Sequence, residues 1–279
     1  MVASLHHHTR AALLLAGVAS LGLAWRRRAS HQPLLPRAAQ LCVWWLRQRL
    51  LRLWLVTHDL CPLESVRLVG GVDISFVKES TTDACAALVV VDPATQEVVY
   101  EACRRIVLTA PYIPGYLAFR EVRFLLQLVE ELRSTRPELM PQVILSDGNG
   151  ILHPNHFGVA CHLGVLAGIP TVGVGKTLHH VDGLSKESVR RLSESLIKAG
   201  DHALLVGQSG TVWGAVLRTT SPAEGNFKPV IISVGHGISL NSAISLVWRT
   251  CKHRIPEPVR QADLRSREWL RRNGSQCSA

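Results

Sequence analysis

Residues 68–76 read LVGGVDISF, an apolar run that carries one charged side chain, Asp73, near its middle. A short apolar run rich in β-branched residues is typical of a buried β-strand. An ionised carboxylate inside such a strand is costly unless it is paired or bound to a metal ion. Asp73 is therefore the first candidate for a functional residue, and an ordinary surface acid is the alternative.

The flanking sequence extends this strand into an alternating pattern. Three adjacent strands, with a turn at Asp92-Pro93, precede a helix that ends before Pro137, and strands and helices alternate from there on. The predicted strands are residues 68–76, 84–91, 97–108, 143–146, 171–174 and 230–234, and the predicted helices are residues 117–136, 157–167, 186–199 and 240–250. This order predicts an α/β fold with a mixed sheet flanked by helices.

The same order is similar to that of ribonuclease H-like folds, in which the first strand carries an aspartate and a later parallel strand ends in another. Asp73 and Asp147 occupy these two places, and Glu121 lies near the start of the helix at 117–136. Three carboxylates that converge without basic partners favour a hard cation. The sequence therefore predicts an Mg²⁺ site, which Mn²⁺ could also fill.

Composition narrows the function only weakly. The net charge of the 279-residue chain is +10, but residues 1–58 carry +8, residues 249–279 carry +5 and residues 59–248 carry −3. Net charge is thus poor evidence that the central part binds nucleic acid. The cationic segment 249–272 is a better candidate for phosphate contacts, with a solvated helix face as the alternative. Seven cysteines without a CxxC spacing predict reduced thiols in an intracellular protein, not a disulfide framework or a zinc site.

Residues 1–66 differ from the rest of the chain. An apolar run at residues 11–25 is followed by three arginines, and residues 42–56 form an amphipathic stretch without acidic residues. A membrane-spanning helix needs about 20 apolar residues, so we expect no stable membrane partner. A mitochondrial presequence, a signal peptide and an extension unrelated to the fold stay open. We expect the protein in the cytoplasm, nucleus or nucleolus, with mitochondrial targeting by residues 1–58 as the alternative.

Five segments, taken in order, resemble the motifs of the endonuclease V family. They are GVDISF at 71–76, PYIPGYLAFRE at 111–121, SDGNGILHPNHFGVACHLG at 146–164, GIPTVGVGK at 168–176 and ISVGHGISL at 232–240. The resemblance spans residues 67–272 and stops short of the first 66. It implies an endonuclease that cleaves the second phosphodiester bond 3′ to inosine and leaves 5′-phosphate and 3′-hydroxyl ends.

The resemblance also implies roles for single residues. Asp73 and Asp147 would bind Mg²⁺, and Glu121 would hold the metal or activate the attacking water. Lys176 would neutralise the phosphate, a task that suits a point charge. His236 would orient the nucleophile or bind a second metal, with a buried structural histidine as the alternative.

The loop at residues 111–114 resembles the strand-separating wedge of that family. Tyr112 would stack at the damaged position, and Pro111, Ile113 and Pro114 would form the rest of the wedge. Inserting apolar side chains between bases costs a few kcal/mol of unstacking, and it allows the target base to turn out into a pocket.

A hypoxanthine pocket would need glycines that let the backbone approach the base closely. The candidates are Gly148, Gly150, Gly158 and Gly173, for which a plain turn is the alternative. We expect His153 to contact the substrate, and His162 less so.

Substrate and organisation follow from the same resemblance. The segments LTAPYIPGYLAFRE and RIPEPVRQADLRSRE look animal-type, which favours inosine-containing single-stranded RNA over deoxyinosine DNA. A deoxyinosine-specific repair endonuclease and a non-catalytic inosine-RNA binding protein are the alternatives. We predict a monomer with a catalytic domain at 67–255, between an extension at 1–66 and a basic segment at 256–279.

Three details qualify the match. The segment PTVGVGKT at 170–177 lacks the first glycine of a Walker A loop because Pro170 stands there, so we exclude an NTPase. Gly175 replaces the alanine that is usual before the lysine. Asn155 replaces a residue that is commonly basic, which predicts that one phosphate contact is weaker.

Overall fold

The computed structural model describes residues 36–221 and 228–273. The chain divides between Leu53 and Trp54 into two units, which are treated separately. The apolar run at 11–25 and the arginines after it lie outside the described residues, so the targeting hypotheses stay predictions. Within the described ranges, no helix is both long and apolar enough to cross a membrane.

The first unit contributes one described helix, α1, over Arg37–Arg52. It contains four arginines and no acidic residue, and the guanidinium of Arg49 lies 4.4 Å from the ring centre of Trp45. The amphipathic stretch seen in the sequence is therefore helical over most of its length.

The second unit is built on an eight-stranded mixed sheet in the order β3-β2-β1-β4-β5-β8-β7-β6. The strands are β1 Val69–Phe76, β2 Asp83–Val91, β3 Val98–Val107, β4 Val143–Asp147, β5 Thr171–Gly175, β6 His202–Val206, β7 Val212–Leu217 and β8 Val230–His236. The first three strands form an antiparallel meander, β4 and β5 run parallel to β1, and β8, β7 and β6 continue antiparallel. This confirms the predicted α/β fold with a mixed sheet.

Strands β6 and β7 were not predicted. Leu204 and Val206 of β6 and Val212 of β7 are exposed hydrophobic residues at one edge of the sheet. Because apolar residues stand at exposed as well as buried positions, the sequence lacks the alternation of apolar and polar residues that marks a strand with one face on the core.

Five further helices flank the sheet, close to the predicted positions where a prediction was made. They are α2 Leu117–Thr135, α3 Val159–Ala167, α4 Lys186–Glu194, α5 Leu240–Arg249 and α6 Glu257–Asn273. Helices α2 and α3 pack on each other, and α6 packs across β1 and β2. The segment 256–279, which the sequence had set apart as a basic tail, thus contributes a helix to the second unit.

Helix α6 can approach β1 because glycine stands at position 71. A Cβ atom on Gly71 would overlap the backbone of Pro258 at the start of α6. Side chains alternate along a strand, so Asp73 and Ser75 share the face of Gly71 and lie under α6. The close approach of this helix therefore determines what surrounds Asp73.

One hydrophobic core cluster lies on the same side of the sheet as α6. Leu145, Val172 and Ile232 from the central strands are fully buried, together with Val247 of α5 and Val259 of α6. Burial of an aliphatic side chain of this size contributes roughly 1.5–3 kcal/mol. The strands β4 and β5, which end beside Asp147 and Lys176, are thus held in place by this buried cluster.

Candidate active site

Asp73 and Asp147 lie side by side in the middle of the sheet, near the end at which the parallel strands β4 and β5 stop. Val72 pairs with Ser146 across the parallel strands β1 and β4, which brings the next residue of each strand to the same level. Asp73 is only 9% exposed, and it accepts hydrogen bonds from the hydroxyl groups of Ser75 at 3.2 Å and Ser266 at 3.4 Å. The predicted pairing of these two aspartates is therefore present.

Lys176 completes this edge. It follows β5, and its Nζ donates to Oδ2 of Asp147 at 2.6 Å. Burial lowers the pKa of Lys176, but the hydrogen bond and charge of Asp147 outweigh it, so the net pKa is raised. We call the group Asp73, Asp147 and Lys176 the carboxylate edge.

The acids here repel one another. Burial, and then the charges of Asp147 and Asp263, raise the pKa of Asp73 to about 6. Glu121, in the second turn of α2, has its pKa raised to about 7 by burial and then by the charge of Asp73. Carboxylates with raised pKa values that face each other are a common property of catalytic and metal sites.

Asp263 is a fourth acid that the sequence did not single out. It lies on α6, pairs with Arg267 at 2.8 Å, and its charge acts on both Asp73 and Lys176. It stands in the basic segment at 249–272, for which the sequence left phosphate contacts and a solvated helix face as alternatives. An acid within RQADLRSRE was the available signal, but only the packing of α6 on β1 shows where it points.

The donor set fits a hard divalent cation. In the described part of the chain, no three His, Cys, Asp or Glu side chains stand close enough to hold a metal ion together as placed. One oxygen of Asp147 is instead occupied by the ammonium group of Lys176. The oxygen ligands and their mutual repulsion still match what Mg²⁺ requires, because a bound cation would remove that repulsion.

His236 lies at the opposite edge of the sheet. It pairs with Thr171, whereas Asp147 pairs with Val174, three residues further along β5. At the rise of a β-strand, this separates them by about 10 Å along the strand. The prediction that His236 joins the catalytic carboxylates is therefore wrong for this arrangement.

The surroundings of His236 explain its presence. Its Nδ1 accepts a hydrogen bond from the backbone N–H of Val56 at 3.3 Å, and burial lowers the pKa of the imidazole to about 4. A neutral ring that satisfies a backbone donor has a structural role. We call His236, Val56 and Thr171 the histidine edge.

The loop before α2 presents Tyr112 to solvent. Tyr112 is 61% exposed, whereas the next residue, Ile113, is buried. The N–H of Tyr116 donates to the carbonyl of Ile113 at 3.0 Å, and Gly115 has φ +82°. Proline at the second position and a left-handed glycine at the third define a type II turn. The exposed aromatic ring is thus carried by a rigid support, as expected of a wedge.

Asn155 fixes that turn from the other side. Its Nδ2 donates to the carbonyl of Gly115 at 3.2 Å. From the sequence, this residue was interpreted only as weakening one phosphate contact. In the structure it ties the loop after β4 to the loop that carries Tyr112.

The glycines proposed for the pocket have a packing role in the described structure. A Cβ atom on Gly150 would overlap the backbone of β8, and one on Gly158 or Gly173 would overlap the loop after β4. Gly148 has φ +146°. These contacts neither require nor oppose a bound base, so the pocket assignment stays a prediction.

The two histidines of this loop differ. His153 is buried, its ring centre lies 5.9 Å from that of His179, and burial followed by the charge of His179 lowers its pKa to about 4. His162 packs edge-on against Phe119, with 4.8 Å between ring centres. His162 is therefore a core aromatic residue, while His153 lies in the loop that follows Asp147.

Comparisons with known proteins agree with the motifs. The endonuclease V family model matches residues 51–264. Endonuclease V of Mus musculus is 53% identical over 205 residues, which are 73% of this chain and 60% of the mouse protein. The match to endonuclease V of Homo sapiens is 53% identical over 206 residues, 74% of this chain and 72% of the human protein.

Solved structures give the same result. The catalytic domain of human endonuclease V superposes with a TM-score of 0.83 and 46% identity, covering 86% of this chain and 99% of that one. Endonuclease V of Ciona intestinalis, in complex with a 23mer DNA containing an inosine followed by a ribo-adenosine, has a TM-score of 0.78 and 32% identity over 85% of this chain and 99% of that one. The chain belongs to the endonuclease V family.

Proposed function

We propose that this protein is an Mg²⁺-dependent endonuclease that hydrolyses the second phosphodiester bond 3′ to inosine and leaves 5′-phosphate and 3′-hydroxyl ends. The observation that carries the proposal is the carboxylate edge, where two acids on adjacent parallel strands adjoin one lysine. Family membership supports the same reaction.

The acids would hold the cation. Asp73 and Asp147 would be its ligands, with Glu121 and Asp263 beside them. Bound Mg²⁺ supplies Lewis-acid polarisation of the phosphate and a lower pKa for water, and Mn²⁺ can take the same oxygen ligands.

The side chains themselves supply charge and proton transfer. The side chain of Lys176 is 39% exposed, and its ammonium group can turn from Asp147 to a phosphate oxygen. Glu121 has a pKa of about 7 and can accept a proton from the attacking water near neutral pH. The charge of Lys176 acts on Asp73, and the charge of Asp73 acts on Glu121.

Tyr112 would act on the base rather than on the phosphate. Its exposed ring can fill the place of a base that has left the stack. The type II turn that follows Tyr112 and the hydrogen bond from Asn155 to that turn would hold the loop in position. Rigid support matters because unstacking must be offset by contacts that are already in position.

Single-stranded RNA is the preferred substrate in this proposal. The Ciona intestinalis protein binds a strand in which a ribo-adenosine follows the inosine, so a ribonucleotide at that place is compatible with the family. The 2′-hydroxyl distinguishes RNA from DNA. The alternatives are a deoxyinosine-specific DNA repair endonuclease and a non-catalytic inosine-RNA binding protein.

One assay separates these alternatives. The full chain is incubated with 5′-labelled single-stranded RNA that contains one inosine, with the same strand containing adenosine, and with the deoxyinosine strand, in Mg²⁺ or in EDTA. We expect a single Mg²⁺-dependent cut in the inosine RNA and a slower one in DNA. Glu64→Gln, at an exposed acid away from the carboxylate edge, should cut normally.

The outcomes are distinct. Binding of inosine RNA without a cut in Mg²⁺ or Mn²⁺ would support the non-catalytic reader and overturn the enzyme. Faster cutting of the deoxyinosine strand would replace RNA by DNA as the substrate. A cut that persists in EDTA would overturn metal dependence.

The same proposal includes a monomer in the cytoplasm or nucleus, with mitochondrial import through residues 1–58 as the alternative. Sedimentation of the purified chain tests the first part. Imaging of a C-terminally tagged full chain tests the second, since a mitochondrial signal that is lost on deletion of residues 1–58 would contradict it.

A further inference from the structure

One pocket is lined by two loops that follow β4 and β5, and by Trp213 of β7 with Ser209 before that strand. One loop follows β4 and carries His153 and His156, and the other follows β5 and carries Lys176 and, four residues later, His180. The pocket has a volume of about 490 Å³, within the range of small-molecule sites. None of the roles assigned above uses it.

A stacked aromatic pair forms one side of this pocket. The rings of His156 and Trp213 lie 4.4 Å apart between centres, at an interplanar angle of 18°. Trp213 is in β7 and His156 is in the loop after β4, so the pair joins distant parts of the sheet. Stacked flat surfaces of this kind are what proteins offer to nucleobases.

Asp182 holds the tryptophan in place. Its Oδ2 accepts from Nε1 of Trp213 at 2.9 Å and from the hydroxyl of Ser209 at 2.6 Å, and its Oδ1 accepts from the backbone N–H of Ser209 at 3.1 Å. The carboxylate of Asp182 therefore accepts hydrogen bonds from groups that belong to the pocket wall itself. The ring is fixed before any ligand arrives, which reduces the entropy lost on binding.

His156 is held against a backbone preference. Its φ is +53°, in the left-handed region that favours glycine, and a side chain there costs roughly 1–2 kcal/mol. The N–H of His156 donates to the carbonyl of His153 at 2.7 Å, which closes a tight turn. A glycine would make this turn without strain, but it would leave Trp213 without its stacking partner.

The chemistry of the wall indicates a base rather than a phosphate or a metal ion. Pro154 and the two rings are flat and largely apolar, and Asp182 would oppose a bare phosphate. Within the described residues, no cluster that includes these histidines can hold a metal ion. Position also favours a nucleotide, because a strand lying on Lys176 passes the start of the loop that leads to His180.

We propose that this pocket binds one base of the substrate strand, outside the inosine and the cleaved bond, by stacking on the His156–Trp213 pair. The inference rests on the proposed function in one respect, namely that the ligand is an inosine-containing strand. It adds a subsite that lengthens the footprint of the enzyme beyond the wedge and the carboxylates.

The test measures binding in EDTA, so that the strand stays intact. In a series of single-stranded inosine RNAs, 2-aminopurine replaces one nucleotide at a time on either side of the inosine. We expect fluorescence quenching at one position, or at two adjacent ones, that is lost in Trp213→Leu and in His156→Gly. Each variant should also weaken binding of the strand about tenfold.

Two controls keep a folding defect apart from a lost subsite. Trp213→Phe keeps a flat ring and should retain the quenching. Trp248→Leu, at a tryptophan of α5 that lies against Gly200, should leave binding and quenching unchanged. The subsite is overturned if the quenching of 2-aminopurine does not depend on Trp213 or His156 at any position of the strand. It is also overturned if Trp248→Leu removes the quenching as Trp213→Leu does.

Failure of the subsite and failure of the proposed function give different results. If the wild-type chain cleaves inosine RNA in Mg²⁺ but quenches 2-aminopurine at no position, the proposed enzyme stands and the subsite is overturned. A wild-type chain that shows the position but does not cleave retains the subsite as part of a reader. A wild-type chain that does not bind the strand overturns both.

Discussion

The carboxylate edge and the histidine edge lie at opposite ends of the same central strands, and both looked functional in the sequence. At the first, Asp73 and Asp147 lie side by side and the pKa of Asp73 is raised partly by its neighbour. At the second, His236 is neutral and accepts a backbone N–H. The difference teaches that a buried polar residue indicates function when its charge is left uncompensated, and indicates structure when its partner satisfies it.

The largest expected effect is at the carboxylate edge. Asp73→Asn should lower kcat by on the order of a thousandfold, because a neutral amide cannot hold the cation. Thermal unfolding in EDTA at pH 7 should show the variant at least as stable as the wild type, since a buried charge is removed. Loss of activity together with a large loss of stability would make Asp73 structural and erase the contrast between the edges.

The opposite pattern is expected at the histidine edge. His236→Ala removes the acceptor of the Val56 N–H and leaves a cavity, so the free energy of unfolding should fall by about 2–3 kcal/mol. The kcat of the folded fraction should stay within a fewfold of wild type. Urea unfolding and cleavage measure the two, with His202→Ala at an exposed position as the control. A large drop in kcat at unchanged stability would return His236 to the active site.

The pH dependence of stability should also differ between the edges. The pKa values of Asp73 and Glu121 are raised to about 6 and about 7, so the folded state binds more protons than the unfolded state. Their contribution is full below about pH 4 and is lost as the pH rises to about 7, at about 1.4 kcal/mol per pKa unit.

Denaturant titrations in EDTA from pH 4 to pH 8 test this sign. Asp73→Asn should flatten the decline, and Mg²⁺ should stabilise the wild type more at pH 8 than at pH 5 because the ligands must be deprotonated. The difference in unfolding free energy between Asp73→Asn and the wild type should grow as the pH rises from 4 to 8, because only the wild type must ionise the buried Asp73. A difference that does not change with pH would contradict the raised pKa of Asp73.

The smallest effect concerns the wedge beside the carboxylate edge. Gly115→Ala places a side chain at φ +82°, which should cost about 1–2 kcal/mol of stability. It should also raise KM, because the turn that supports Tyr112 shifts. Gly168→Ala, at φ +65° in open space after α3, is a matched control that should lose similar stability with unchanged KM. Equal KM values for the two variants would show that the loop carrying Tyr112 does not contribute to substrate binding.

Much of this fold could be predicted from local sequence. The strands at 68–76 and 143–146 carry buried β-branched runs, and the helix at 117–136 has helical spacing and a proline after its end. The pairing of the two aspartates was expected from the similarity to ribonuclease H-like folds, and the register of β1 and β4 agrees with it. These signals are local, or they depend on topology rules that hold across α/β proteins.

What could not be predicted depends on contacts between distant segments. Asp263 comes near Asp73 only because α6 packs on β1. His236 ends a strand, but the antiparallel direction of β8 carries it away from the carboxylates. Asn155 contacts the carbonyl of Gly115, 40 residues away. The sequence alone does not show which distant segments come into contact in these three cases.

The order in which the chain is made gives the close approach at Gly71 a further meaning. Ser266, which covers Asp73, lies 193 residues after it, and α6 is the last described helix. During translation, β1 and its aspartate leave the ribosome long before the helix that encloses them. The carboxylate edge is therefore enclosed only after α6 has left the ribosome, so we expect the proposed nuclease activity to be absent from the nascent chain while it is still beside messenger and ribosomal RNA.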